Sequence, residues 1–120
     1  MQACLKMVKG RGAGTSYPLP NGRRLTFGNG EGCDILVGEV GVSRRHFALE
    51  WDGKNAIITD LGSTNGTYVN GQKITSSALL QDDMVVAGQM VMQLAFQRDD
   101  QSRPPQDSVR FIDEPFLEGR

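Results

Sequence analysis

Phe47-Ala48-Leu49-Glu50-Trp51-Asp52-Gly53-Lys54-Asn55-Ala56-Ile57-Ile58-Thr59 is the stretch that decides the fold class. Its large apolar side chains occupy every second position from Phe47 to Trp51, which places them on one face of an extended strand. Asp52-Gly53 tolerates the positive φ of a tight reversal, and Ala56 to Thr59 then reads as a second strand. Outward from this hairpin the alternation returns in Met90, Met92, Leu94 and Phe96, set against Val91, Gln93 and Ala95, and each alternating set is expected to face a core. Ala3 to Val8, Ser16 to Leu19, Arg24 to Phe27, Ile35 to Val37, Thr67 to Val69 and Met84 to Ala87 read as further strands, with reversals at Asn21-Gly22 and Asn70-Gly71. Helical periodicity is absent over any useful length. Many short strands separated by turn pairs predict an all-β, two-sheet antiparallel sandwich.

The 120 residues suit one domain plus a tail. Apolar content is 38% before the 15 glycines are added, which excludes disorder throughout. A net charge of −1 offers no general attraction to nucleic acid or an anionic membrane, so any anion specificity must come from a few placed groups. Cys4 and Cys33 form neither a CxxC pair nor a cluster with His46, the sole histidine; buried free thiols are expected, and no metal or other cofactor. Met1 to Lys9 has no long apolar run and no eighteen-residue apolar stretch follows, so neither a signal peptide nor a membrane span is expected, and the cytoplasm is the default location. The pattern stops at Gln97. Arg98 to Pro105 is polar with a Pro-Pro pair, which puts the domain at residues 1–97 and a tail or linker at 98–120. Val109, Phe111, Ile112, Phe116 and Leu117 sit among acidic residues, as a docking peptide, an added strand or the start of a further domain would.

Several features imitate catalysis. Ser43, His46 and Asp60 supply the residue types of a hydrolase triad, but Gly62-Ser63-Thr64-Asn65-Gly66 is no GxSxG elbow and nothing marks an oxyanion site. Gly28-Asn29-Gly30-Glu31-Gly32 and Gly10-Arg11-Gly12-Ala13-Gly14 open no predicted helix and end in no GK[ST], so both read as loops. An enzyme is not expected.

Three segments in order carry a more specific signal: Phe27-Gly28-Asn29, Ser43-Arg44-Arg45-His46, and Asp60-Leu61-Gly62-Ser63-Thr64-Asn65-Gly66-Thr67-Tyr68-Val69-Asn70-Gly71. Cys33-Asp34-Ile35, Leu80-Gln81-Asp82-Asp83 and Val86-Ala87-Gly88 support them, so that residues 3 to 97 together resemble a forkhead-associated (FHA) domain. The resemblance implies a sandwich of about eleven strands whose loops at one end take a phosphothreonine peptide, in signalling or regulation. A phosphate offers acceptors and roughly −1.5 to −2 charges, so its site needs hydroxyls, amides and a guanidinium. By the family pattern Ser43 and Thr64 donate hydroxyls, Ser63 adds a further donor, Arg44 contributes charge, and Asn65 holds the peptide backbone. Gly28, His46 and Gly66 are implied to support the site, with the His46 ring bonding backbone to keep the Ser43 loop in shape.

One position departs from the pattern. Phosphopeptide-binding members usually carry arginine after the glycine at position 28, where this chain has Asn29. A neutral donor in place of a charged one costs on the order of 1 kcal/mol. Arg23 and Arg24 lie upstream as other sources of charge. Two functions therefore stand: docking on a phosphothreonine protein, a kinase or kinase substrate, within a larger multidomain protein, or a phosphate-independent assembly module in which Asn29 marks loss of the phosphate site.

Overall fold

The computed structural model describes residues 2–97, which form eleven strands: β1 (Gln2–Lys9), β2 (Ser16–Leu19), β3 (Arg23–Gly28), β4 (Ile35–Leu36), β5 (Phe47–Trp51), β6 (Ala56–Asp60), β7 (Thr67–Val69), β8 (Gln72–Ile74), β9 (Ser76–Leu79), β10 (Met84–Ala87) and β11 (Met90–Gln97). They make two packed sheets, β2-β1-β11-β10-β7-β8 and β4-β3-β5-β6-β9. The sandwich expected from the alternation is present. One pairing differs from an all-antiparallel plan, since β4 runs parallel to β3 with Phe27 opposite Ile35. Among the described residues no helix is long and apolar enough to cross a membrane.

Alternation delivers the core. Phe47, Leu49 and Trp51 from β5 meet Met90, Met92 and Leu94 from β11, all buried, and Phe27 stacks on Phe47 with ring centroids 4.8 Å apart. Phe96 is only half-buried and covers Trp51 at 5.2 Å from the rim. β8 and β9 carry QKI and SSAL, too polar to betray themselves by alternation; pairing with β7 and β6 holds them. At Asn70-Gly71 both residues take positive φ, 50° and 86°, the geometry a two-residue hairpin between β7 and β8 requires. The thiols of Cys4 and Cys33 are free but half-buried, which corrects the expectation of full burial. Cys4 sits on the outer side of β1, opposite Ala95 and Pro18, and Cys33 lies in the β3–β4 loop with its Sγ 3.0 Å from the Arg44 carbonyl. The segment from Val109 to Leu117 lies outside the described residues.

Candidate functional site

Five loops converge at the end of the sandwich where β3 finishes: β1–β2, β3–β4, β4–β5, β6–β7 and β10–β11. Backbone crowding sets their approach. A Cβ at Gly28 would overlap the Arg44 carbonyl, so the β4–β5 loop lies directly on the end of β3, and the Asn29 and Gly30 amides then donate to the Ser43 and Arg44 carbonyls at 3.0 and 2.9 Å. Gly41 and Gly88 pack just as closely, since a Cβ at Gly88 would lie 2.6 Å from the carbonyl carbon of Gly41. The Arg11 amide reaches the carboxylate of buried Glu39 and ties the β1–β2 loop to the same cluster.

His46 is fully buried at the centre of this cluster. Its Nδ1 accepts the Ser43 amide at 3.0 Å, so Nε2 carries the proton and donates to the Gly66 carbonyl at 2.8 Å. One ring therefore joins the β4–β5 loop to the β6–β7 loop. A second link is the Thr64 amide donating to Ser43 Oγ at 2.9 Å. The Ser43 hydroxyl hydrogen is left to point elsewhere. Thr64 and Arg44 are exposed, and among the described residues the Arg44 guanidinium has neither ion pair nor hydrogen bond. Asn65 is anchored by one amide hydrogen on the Gly41 carbonyl at 2.9 Å, leaving its oxygen and other hydrogen toward solvent. Ser43, Arg44, Thr64 and Asn65 are thus brought together as outward donors.

Two other residues from the sequence reading take different positions. Ser63 donates its hydroxyl to Asp60 Oδ1 at 2.5 Å while accepting the Gly66 amide, so it shapes the loop and has no hydroxyl proton left to offer outward. Asn29 is committed to the β4–β5 loop: its Nδ2 donates to the carbonyls of Glu39 and Val42 at 2.8 and 3.1 Å, and its Oδ1 accepts the Glu39 amide at 3.1 Å. Neither N–H is free. Arg23 and Arg24, at the far end of β3, pair with Asp34 at 3.4 Å and Glu50 at 3.6 Å and supply nothing here.

Asp60 is the residue whose role the sequence reading missed. It receives the hydroxyls of Ser63 and Thr67 and the amides of Gly62 and Ser63, holding the β6–β7 loop in a tight turn. Burial raises the pKa of its carboxyl, but the four donors outweigh that effect and leave it below the ordinary aspartate value. An aspartate followed two and three residues later by glycine and serine is the signal that could have shown this. No triad exists: His46 bonds the Ser43 amide and not its hydroxyl, and Asp60 does not bond His46.

A cleft of about 200 Å³ opens beside Asn65, lined by Gly41, Asn65, Tyr68, Val86, Gly88 and Gln89. A larger concavity, about 650 Å³, lies at the opposite end between Gln2, Pro18 and Trp51, where no charged side chain lines it. Among the described residues no three His, Cys, Asp or Glu groups cluster as metal ligands.

Residues 21–87 match the FHA domain family model. The chain is 38% identical over 77 residues to the FHA domain-containing protein FhaA of Mycobacterium tuberculosis, covering 64% of this chain and 14% of that protein. It is 35% identical over 86 residues to the glycogen accumulation regulator GarA of Mycolicibacterium smegmatis, covering 72% of this chain and 54% of that one. The chain thus spans well under the full length of these relatives. A solved FHA domain, studied for its phosphothreonine-dependent interactions, superposes with a TM-score of 0.74 at 31% identity, covering 82% of this chain and 99% of the other.

Proposed function

The chain belongs to the FHA domain family, and from that premise we propose that it docks on a partner protein by reading a phosphothreonine at the loop end of the sandwich. The observation that carries this is the Thr64 amide bond to Ser43 Oγ, which joins two loops distant in sequence and brings exposed Thr64 to Ser43, whose chain neighbour Arg44 is exposed as well. A dianion with only acceptors is the natural complement of such a set. In this reading Ser43, Arg44 and Thr64 hold the phosphate and Asn65 holds the peptide backbone. Gly28, His46 and Gly66 shape the loops. Ser63 and Asn29 act through the backbone they bond, not on the phosphate itself. The domain occupies residues 1–97, with 98–120 as tail or linker, and it performs recognition without chemistry. Its partner is a kinase or kinase substrate met in the cytoplasm, where protein kinases and their phosphorylated products occur together.

The test is a titration of one threonine peptide in phosphorylated and unphosphorylated forms against the full chain by fluorescence anisotropy, with EDTA present. Binding of the phosphorylated form alone is expected. Equal binding of both forms would overturn the reading and favour the phosphate-independent assembly module.

A further inference from the structure

The two sheets differ on their outward faces. On the five-stranded sheet polar pairs break up the outward rows: Arg24 pairs with Glu50 at 3.6 Å, in the row that continues to Ile57 and Ala78, and the Thr59 and Ser76 hydroxyls lie 3.4 Å apart. On the six-stranded sheet Tyr68 stands opposite Val86 and Val86 opposite Val91, so three apolar side chains line up across β7, β10 and β11. Each is partly exposed. Val8, the extra residue of a bulge in β1, continues the row and is 48% exposed. Lys73 opposite Tyr68 and Lys9 opposite Val91 close its two ends. Exposed Lys6 lies in the next row, and the six strands contain no aspartate or glutamate. An apolar row with cations at its ends and no acid within its own strands, the nearest carboxylate at the Lys9 end being the buried Glu39 beside Gly10, is complementary to an apolar segment bearing acids.

The row also runs into the candidate site. Tyr68 and Val86 line the 200 Å³ cleft together with Asn65, and the stem of Lys73 lies over Gly66. We propose that this row is a second docking surface for the phosphorylated partner, and that it takes an acidic, apolar segment of the same polypeptide that carries the phosphothreonine. The proposal rests on the phosphothreonine reading above. From β8 to β1 the row spans roughly 19 Å at about 4.8 Å per strand, the length of about six extended residues. A segment tethered to the phosphothreonine reaches it at about millimolar effective concentration, so even a weak contact tightens the whole.

A set of synthetic peptides and the full chain test this by anisotropy: a short phosphothreonine peptide, the same peptide extended at one end or the other by a segment alternating Leu or Phe with Asp or Glu, and each extension with lysine replacing its acids. The acidic extension at one of the two ends is expected to bind about tenfold tighter than the short peptide, and the lysine version no tighter. Lys6→Glu combined with Lys9→Glu should abolish that gain while leaving the short peptide's affinity and the melting temperature unchanged. Val91→Glu should do the same. No gain from the acidic extension at either end, with the short peptide still bound in a phosphate-dependent way, would overturn the inference alone. Phosphate-independent binding of the short peptide would overturn the functional reading and this inference with it. If the gain appears only when Phe111→Asp and Phe116→Asp are introduced, the chain's own tail occupies the row, which also overturns the assignment to the partner.

Discussion

His46 Nε2 donates to the Gly66 carbonyl at 2.8 Å, and this bond decides how the two halves of the candidate site sit relative to one another. The other ring nitrogen accepts the Ser43 amide, so a fully buried side chain satisfies one backbone donor and one acceptor from two separate loops. His46→Ala would leave both unsatisfied in the core. Each orphaned group costs about 1–3 kcal/mol, so a loss of roughly 2–5 kcal/mol in stability is expected. Thermal unfolding checks it. An unchanged melting temperature with lost peptide binding would place His46 on the ligand instead of in the scaffold.

Ser43 and Arg44 should behave in the opposite way. Their outward groups face the ligand, so Ser43→Ala and Arg44→Ala are expected to lower affinity for a phosphothreonine peptide by about ten- to a hundredfold, the worth of a charge-assisted bond; Arg44→Ala should leave the melting temperature nearly unchanged, and Ser43→Ala, which also removes the exposed acceptor of the Thr64 amide, should lower it by no more than the worth of that one exposed bond. Ser63→Ala gives the contrast. It removes the hydroxyl held by Asp60, so it should lower stability at least as visibly as binding. Calorimetric titration and thermal unfolding of the three variants separate the two classes; a Ser63→Ala variant of unchanged stability and abolished binding would return Ser63 to the ligand.

Strands built on large apolar alternation, such as Phe47 to Trp51 and Met90 to Phe96, were legible because burial of every second residue is what the sheet needs. Gln72–Ile74 and Ser76–Leu79 were not, since cross-strand pairing rather than their own side chains stabilises them. Ala48 is buried although it faces outward, because a small side chain between Thr26 and Thr59 is covered by its neighbours. At the site, the order of Ser43, Arg44, Thr64 and Asn65 could be read from the chain. What Asn29 and Ser63 bond could not. Asn29 meets Glu39 and Val42, ten and thirteen residues away, and only the packing of the loops brings them together.

Asp60 gives the loop a pH dependence. Its four donors hold the folded carboxyl below the ordinary value despite burial, so its contribution is complete above the unfolded pKa, about 3.9, and is lost as pH falls through the folded value. Between pH 5 and 8 this group should leave stability unchanged. Asp60→Asn is expected to be less stable than the parent at pH 7, through the weakened bond to the buried Thr67 hydroxyl, and to lose less on acidification below about pH 4. Melting temperatures of both proteins across that range test it. Curves that stay parallel below pH 4 would show that the Asp60 charge is not what braces the loop.

Asn29 separates a shortage of charge from a loop that depends on an amide. If the position lacked only the family's arginine, Asn29→Arg would tighten phosphothreonine binding about tenfold, by the difference between a neutral and a charge-assisted bond. The geometry argues against that outcome. Asn29 donates twice and accepts once within the β4–β5 loop, and a guanidinium, with no acceptor, cannot take the Glu39 amide. The same loop presents the Gly41 carbonyl that anchors Asn65. Loosening it should therefore reach the ligand indirectly. Asn29→Ala and Asn29→Arg are both expected to lower stability by about 1–3 kcal/mol and to weaken peptide binding, whereas Arg44→Ala weakens binding alone. Unfolding curves paired with titrations at two salt concentrations decide the matter. A salt-sensitive tenfold gain for Asn29→Arg at unchanged melting temperature would show that the loop stands without the amide and that charge alone limits the site.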